Sequence, residues 1–206
     1  MCVDNSINTF MIISHKYKFI FIKTRKTAGS SIEKYLYNYL GQDDICTGSI
    51  IENTPALNSK FTDGHISALE IQKQYPVEFK NYFKFAVERN PWDKVVSYYF
   101  YQRHKKKKRT KHGFDAFVKN FGRNVIDWPM YTTNNNIIAD QIVIYEKLHQ
   151  TFLDLPIPYN NELLTTKVKA EFRQERDYKK FYTDESRDLV NTFFKKEIDA
   201  FAYQFK

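Results

Sequence analysis

Residues 17–31 read YKFIFIKTRKTAGSS, a short apolar run followed at once by a loop of small and basic residues. Residues 17–23 are rich in β-branched and aromatic side chains, which predicts a buried strand. Apolar residues then recur at helical spacing from Ile32 to Leu40, which predicts a helix. A small-residue loop at a helix start presents backbone N–H groups and the positive end of the helix dipole to an anion. The stretch therefore predicts a phosphate-binding loop.

The loop carries its own charged and hydroxyl-bearing side chains, which are Arg25, Lys26, Thr27, Ser30 and Ser31. The nucleoside-triphosphatase pattern GxxxxGK[ST] is absent, because here Lys26 precedes Gly29 instead of following it. A plainer interpretation stays open, in which Ser30 and Glu33 form an ordinary capping box and Lys26 is a solvated charge. If the loop binds phosphate, we expect Glu33 to point away from it.

A second strand and helix repeat this arrangement further along the chain. Residues 82–87 predict a strand, and residues 88–97 read ERNPWDKVVS. Arg89 lies at the strand tip, where a guanidinium can hold a phosphate in bidentate fashion, and Ser97 lies two turns into the helix. The alternative is an Arg89 that pairs with Asp93 and a Ser97 that faces solvent. Two such loops after parallel strands favour a ligand, because open α/β sheets bind ligands at the carboxyl ends of their strands.

The other helix starts are marked by capping residues. Ser67 has capping-box spacing to Glu70, Asn90 precedes a proline at the first helical position, and Thr183 precedes the last helix. The remaining predicted elements are a helix over 114–121, a strand over 141–145, and irregular connections over 41–64 and 155–176. Strands separated by helices predict an α/β fold with a parallel central sheet flanked by helices. The chain length fits a single domain over residues 1–206.

Composition narrows the class of protein. The formal net charge of +8 is concentrated in residues 103–111, which carry seven Lys and Arg. This run fits a solvated loop, a nucleic-acid contact or a binding surface for an anionic acceptor, and its lack of interleaved aromatic residues disfavours nucleic acid.

The cysteines, Cys2 and Cys46, form no disulfide framework and have no zinc-ligand spacing, which indicates a reducing compartment. Because the apolar run at residues 10–13 is too short for a signal core or a membrane span, we expect a cytoplasmic protein.

Two segments resemble the motifs of a known family. Residues 26–31, KTAGSS, are similar to the phosphosulfate loop of the sulfotransferases that use 3′-phosphoadenosine-5′-phosphosulfate (PAPS), and residues 89–98, RNPWDKVVSY, resemble their 3′-phosphate motif RNPxxRxxSxY. The resemblance is closest to the carbohydrate branch that includes the heparan sulfate 2-O-sulfotransferase. It implies a P-loop-like sulfotransferase fold, PAPS as the donor and no requirement for a metal.

The resemblance also implies a role for each matched residue. Lys26 would contact the oxygen that bridges sulfur and the 5′-phosphate, while Arg89 and Ser97 would hold the 3′-phosphate. The residues that would line the 5′-phosphate cradle, together with Arg25, are Thr27, Ala28, Gly29, Ser30 and Ser31. Two positions depart from the motifs, because Arg25 replaces the usual proline and Lys94 replaces the usual arginine. Neither departure removes a residue that the resemblance places on the nucleotide.

His65 lies between the two motifs in sequence, just before a predicted helix start. The positive end of a helix disfavours a protonated imidazole and leaves the ring able to accept a proton. In the resembling branch a histidine in this interval acts as general base on the acceptor hydroxyl. The alternatives are a structural hydrogen bond for His65 and a carboxylate, Asp63 or Glu88, as the base.

A separate segment, the loop 163–173, would close over the bound nucleotide.

These observations predict a transferase that moves a sulfuryl group from PAPS to a hydroxyl of a carbohydrate, which could itself be anionic, by in-line displacement. A P-loop-like nucleotide or small-molecule kinase is the first alternative, and it would need Mg²⁺ and carboxylate ligands. The second is a non-enzymatic nucleic-acid-binding protein that uses residues 103–111. We expect no nucleic-acid partner and no membrane span, and the sequence does not indicate an oligomeric state.

Overall fold

The computed structural model describes residues 11–47, 56–61, 65–105, 108–160 and 173–206. They fall into two compact units that interleave along the chain. The first unit lies within Met1–Thr24, Ala28–Glu88 and Pro129–Val168, and the second within Arg25–Thr27, Arg89–Trp128 and Lys169–Lys206. The expectation of one domain over residues 1–206 stays a prediction.

The first unit is built on a five-stranded sheet in the order β3-β1-β2-β4-β7. The strands of the chain are β1 (Met11–Ser14), β2 (Phe19–Ile22), β3 (Ile45–Cys46), β4 (Phe83–Glu88), β5 (Thr132–Thr133), β6 (Asn136–Ile137) and β7 (Gln141–Ile144). Strand β2 pairs in parallel with β4, and β4 pairs in parallel with β7. Strands β5 and β6 form a separate antiparallel pair.

The predicted parallel central sheet is confirmed for β2, β4 and β7, but the sheet is antiparallel at the edge formed by β1 and β3. Strand β1 runs antiparallel to both β2 and β3. Only residues 15–18 connect β1 to β2, and a parallel pair needs a crossover of about a dozen residues or more, so the two strands form a hairpin. Strand β3 also differs from the prediction, because residues 41–64 were expected to be irregular throughout.

Strand β2 reads as a continuous apolar run because it is buried on both faces. All residues of β2, sequence FIFI, are buried, and β4 is buried from Lys84 to Glu88. Side chains of β2 and β4 stack within the core, with the Phe21 and Phe85 ring centroids 5.1 Å apart. Helix residues Ile32, Tyr35 and Leu36 join the same core.

The α-helices are α1 (Gly29–Tyr37), α2 (Ala68–Gln74), α3 (Pro76–Asn81), α4 (Pro91–His104), α5 (Gly113–Phe121), α6 (Trp128–Tyr131), α7 (Leu148–Leu153), α8 (Asp184–Phe193) and α9 (Lys195–Phe201). The predicted capping box of α2 is confirmed, since Ser67 and Glu70 exchange hydrogen bonds. Asn90 caps α4 as predicted, accepting hydrogen bonds from the backbone N–H groups of Trp92 and Asp93.

The second unit is helical and has an aromatic core. Helices α4, α5, α8 and α9 lie within it. The rings that fill its core include Trp92, Tyr98, Tyr99, Phe117 and Phe194.

The end of the chain forms two helices, and Thr183 caps the first of them, α8, as predicted. The single last helix that the sequence predicted is two helices, because the buried Phe194 leaves helical conformation (φ −106°, ψ 23°) with no glycine or proline to mark the break. Among the described residues, no helix combines the length and apolar character needed to cross a membrane.

Candidate functional site

The start of α1 is shaped for an anion. Its N-cap residue, Ala28, has a left-handed backbone (φ 62°, ψ 16°), and within the described residues its side chain makes no cap hydrogen bond. The first turn contains no acidic residue. The alternative capping box between Ser30 and Glu33 does not form, because Ala28 and not Ser30 occupies the cap position. The positive end of this helix is therefore not neutralised by a carboxylate of its own first turn.

Lys23 packs across the loop at Gly29. An ideal Cβ at Gly29 would lie 2.7 Å from Cγ of Lys23 and 2.9 Å from its Cε, so only glycine fits against this stem. The Lys23 ammonium lies 2.8 Å from Oε2 of the fully buried Glu33 and 3.4 Å from Oγ of Ser30. Glu33 is thus held in a buried ion pair with Lys23, whose ammonium also contacts Ser30 of the loop. The expectation that Glu33 points away from a bound phosphate stays a prediction.

Lys26 lies in the second unit and has a strained backbone. Its φ of 61° is a left-handed conformation. For a non-glycine residue this conformation costs about 1–3 kcal/mol, and it persists only where surrounding contacts hold the backbone in place. The carbonyl oxygen of Lys26 accepts a hydrogen bond from Nη1 of Arg89 over 3.0 Å. Its ammonium lies 4.2 Å from the centroid of the Tyr101 ring. Lys26 is therefore held at its backbone and its side chain, and is not a loose solvated charge.

Arg89 contacts a carboxylate as well as the Lys26 carbonyl. Its Nε lies 3.0 Å from Oδ2 of Asp93, and Arg173 forms an ion pair with the other oxygen of that carboxylate. Asp93 and Ser97 are four residues apart on α4, so they share one face of the helix. The Arg89–Asp93 pair that the sequence left as an alternative is present, and Ser97 is half-buried on the same face of α4. Arg173 ends the loop 163–173, whose other residues lie outside the described ranges.

Asp127 is a site residue that the sequence analysis missed. Its buried carboxylate accepts hydrogen bonds from the backbone N–H and from Nη1 of Arg25, each over 2.7 Å. The ammonium of Lys94, also fully buried, lies 2.7 Å from the same carboxylate. Lys94 is thus an internal cation and is not exposed to a ligand. A lone aspartate about a hundred residues from Arg25 carries no pattern that would have revealed this contact.

His65 contacts the end of β2 in the first unit. Its Nδ1 lies 3.3 Å from the backbone oxygen of Lys23. A carbonyl can only accept, so Nδ1 is the nitrogen that donates in this contact, and in the neutral form of the ring Nε2 is then the nitrogen able to accept a proton. Of the two alternative bases, Asp63 lies outside the described residues, and Glu88 is fully buried, where it accepts a hydrogen bond from the Tyr131 hydroxyl over 2.9 Å.

The structure groups the predicted residues as follows. In the first unit, Lys23 contacts both His65, through its carbonyl, and Ser30, through its ammonium. In the second unit, Arg89 contacts Lys26. The members of the first group are Ala28, Gly29, Ser30, Ser31 and His65, and those of the second are Arg25, Lys26, Thr27, Arg89 and Ser97.

The basic run is partly folded and partly outside the described residues. Arg103, His104 and Lys105 are exposed at the end of α4. Arg109 lies 5.3 Å from the Phe121 ring centroid and its Nη1 lies 3.3 Å from the Tyr98 hydroxyl, so this cation packs on the protein itself. Across all the residues that the structure describes, no group of three or more His, Cys, Asp or Glu side chains is placed so that it could hold a metal ion.

Two comparisons with known proteins bear on this arrangement. A family model described as the Sulfotransferase family matches residues 9–156, a range that contains both predicted motifs and His65. An uncharacterized protein of Archaeoglobus fulgidus is 40% identical over 76 residues. That match covers 35% of this chain and 62% of the relative, so the chain spans less than two thirds of the curated relative that it matches.

Proposed function

The chain belongs to the sulfotransferase family, and from that membership we propose that it moves a sulfuryl group from PAPS to a hydroxyl of a carbohydrate. The family supports a transferase activity in general. The choice of donor, the acceptor class and the roles of single residues are the content of the proposal. The Arg89–Lys26 contact carries it, because it joins a residue of the proposed 3′-phosphate motif to the residue proposed to act on the leaving oxygen.

The segment from Arg25 to Ser31 is proposed to bind the 5′-phosphate and the sulfate. The start of α1 favours an anion, because the positive end of the helix dipole lies there and the first turn contains no acidic residue. The hydroxyl of Ser30, beside the Lys23 ammonium, adds a donor held in a defined position. Glycine is favoured at position 29 because the Lys23 side chain fills the space where a Cβ would lie.

Arg89 and Ser97 are proposed to hold the 3′-phosphate. Arg89 is oriented by Asp93, whose carboxylate is shared with Arg173, so two guanidinium groups surround one carboxylate. That excess of positive charge favours a dianionic phosphate nearby, and a guanidinium can bind phosphate in bidentate fashion. Ser97 lies one turn beyond Asp93 on the same helix face.

His65 and Lys26 are proposed to carry the chemistry. His65 takes the proton of the acceptor hydroxyl on Nε2 as that oxygen forms its bond to sulfur. The bond between sulfur and the bridging oxygen breaks, and Lys26 stabilises the negative charge that develops on that oxygen. PAPS supplies the activated sulfuryl group and leaves as 3′,5′-ADP. The hydrogen bond from Nδ1 to the Lys23 carbonyl fixes the imidazole tautomer that this step needs.

The acceptor is proposed to be a carbohydrate, and the exposed cations at the end of α4 fit an anionic one. The test is to incubate the chain with PAPS and a panel of neutral and sulfated saccharides in EDTA, and to measure 3′,5′-ADP and sulfated product. We expect equal amounts of both with at least one saccharide. Phosphoryl transfer from ATP, dependent on Mg²⁺, would support the kinase alternative instead.

A further inference from the structure

The two positions that depart from the resembling motifs meet at one carboxylate. Arg25, in place of a proline, donates both its backbone N–H and its guanidinium Nη1 to Asp127. Lys94, in place of an arginine, forms an ion pair with the same side chain. All three contacts are 2.7 Å long, and all three residues belong to the second unit. The two residues that depart from the motifs, Arg25 and Lys94, therefore belong to one set of contacts around the Asp127 carboxylate.

The backbone contact depends on the residue type at position 25. A proline has no N–H and could not make the hydrogen bond that Arg25 makes with Oδ2 of Asp127. The Asp127 carboxylate is fully buried, and a buried charge needs cationic partners and hydrogen bonds to be tolerated. Lys94, also fully buried, supplies one cation and Arg25 supplies the other.

The Asp127 contact lies directly beside the strained residue. The N–H of Arg25 is fixed by Asp127, and the carbonyl of Lys26 is fixed by Arg89 over 3.0 Å. Between these two anchors Lys26 adopts its left-handed φ of 61°. A strained backbone persists when neighbouring contacts determine it from more than one side. Asp127 and Arg89 are such contacts.

We infer that Asp127 is a positioning residue that, through the backbone of Arg25, holds the loop in the conformation that presents Lys26. The expected effect of Asp127 on kcat rests on the proposed function of Lys26. The effect of Asp127 on the conformation of the loop does not depend on that proposal. Asp127 touches no reacting atom in this account and acts only through its neighbours. Lys94 has a different task, which is to balance the buried charge.

The test combines a structural and a kinetic measurement on Asp127→Leu, which keeps a side chain of similar size and removes both oxygens that accept from Arg25. We expect amide hydrogen exchange of Arg25, followed by NMR, to speed up at least about tenfold. With PAPS, kcat should fall about ten- to a hundredfold, as for a misplaced catalytic group, with a smaller change in KM for the donor. Lys94→Met is the matched control. It should lower the midpoint of urea unfolding while kcat falls less than about threefold and the Arg25 amide stays protected.

Each outcome supports or overturns the positioning role of Asp127. If the Arg25 amide of the wild type exchanges as fast as an unprotected amide, that role is overturned, regardless of the measured kcat. If the wild type fails to turn over PAPS, the proposed function fails, and hydrogen exchange alone decides the role of Asp127. If Asp127→Leu does not fold, Arg25→Pro removes the same backbone hydrogen bond from the other partner. A kcat for Arg25→Pro within about threefold of the wild type would contradict positioning through this contact.

Discussion

Nη1 of Arg89 donates a hydrogen bond to the backbone oxygen of Lys26 over 3.0 Å. The two residues are 63 positions apart in sequence and belong to different motifs of the sulfotransferase pattern. Because one guanidinium fixes the loop backbone and is also proposed to bind phosphate, the two motifs are expected to respond together when either is changed.

Arg89→Ala should weaken binding of 3′,5′-ADP about ten- to a hundredfold, since a charge-assisted bidentate contact with phosphate is lost. It should also lower kcat, because the Lys26 carbonyl loses its donor. Isothermal titration calorimetry and a turnover assay measure the two effects. Arg187→Ala, which removes a half-exposed arginine paired with Asp184 on α8, is the control and should leave both unchanged. Wild-type affinity in Arg89→Ala would show that the 3′-phosphate motif is misassigned.

Lys26→Ala should greatly reduce turnover and leave measurable 3′,5′-ADP binding, because the charge matters most as the leaving oxygen becomes negative. The loss of one donor to a developing anion costs about 10²–10³ in kcat. Lys34→Ala, at an exposed position of α1, provides the control for removing a lysine from the same segment. A Lys26→Ala enzyme with nearly full kcat would remove Lys26 from the mechanism.

His65→Ala should lower kcat about 10²–10⁴-fold while donor affinity changes little. In the wild type, kcat should rise with pH as the imidazole loses its proton, because only the neutral ring can accept the proton of the hydroxyl. The variant should lose that rise. His112→Ala, which changes an exposed histidine, should keep it. A pH profile that is the same in His65→Ala and wild type points to another base, for which Asp63 is the first residue to change.

Glu197 should make stability depend on pH. Burial raises the pKa of its carboxyl above the ordinary value of 4.5, and the charge of Lys94 partly opposes this. A carboxyl with a raised pKa binds more protons in the folded state, so its ionisation costs stability as pH rises through that pKa. Glu197→Gln should therefore raise the free energy of unfolding near neutral pH, and the gain should shrink towards about pH 4.5.

Urea unfolding of Glu197→Gln and wild type at several pH values measures this difference. The amide can still accept the hydrogen bond from the Trp128 N–H, which the carboxylate accepts over 3.2 Å, so packing is preserved. Glu185→Gln, at an exposed position of α8, serves as the control and should show little difference at any pH. A Glu197→Gln protein that is less stable than wild type near neutral pH would mean that the Lys94 charge outweighs burial.

Neutralising Lys105 to Lys108 should leave donor binding intact and should raise KM for the acceptor if that acceptor is anionic. The reason is that exposed cations attract an anionic ligand over a distance that salt shortens. The dependence of KM on ionic strength gives the first measurement, before any variant is made. An unchanged KM with a sulfated saccharide would assign these residues to a solvated loop.

Local signals in the sequence were sufficient for the starts of α2, α4 and α8 and for the parallel centre of the sheet. Ser67, Asn90 and Thr183 cap helices because their side chains reach backbone N–H groups within three residues. The α/β class followed from the apolar strands and helices alternating along the chain. The last helix was predicted as continuous because apolar residues keep their spacing past Phe194, and nothing local indicates that this residue leaves the helix.

Contacts between distant residues could not be predicted in the same way. Asp127 and Arg25 are 102 residues apart, and neither belongs to a periodic pattern that would pair them. Lys23 reads as a polar end to a strand, although its side chain is 5% exposed and paired with Glu33. The antiparallel edge of the sheet could not be predicted because the connection of residues 15–18, HKYK, contains no glycine, proline, asparagine or aspartate to mark a turn between β1 and β2.

The measurement that tests the central claim most directly compares nucleotide binding in EDTA by calorimetry. The ligands are 3′,5′-ADP, 5′-AMP, which lacks only the 3′-phosphate, and ATP with and without Mg²⁺. A site built from Lys26, Arg89 and Ser97 for PAPS predicts that 3′,5′-ADP binds at least about tenfold more tightly than 5′-AMP, and that Mg²⁺ does not reverse the order. Equal binding of 3′,5′-ADP and 5′-AMP, or a preference for ATP with Mg²⁺, would contradict the account.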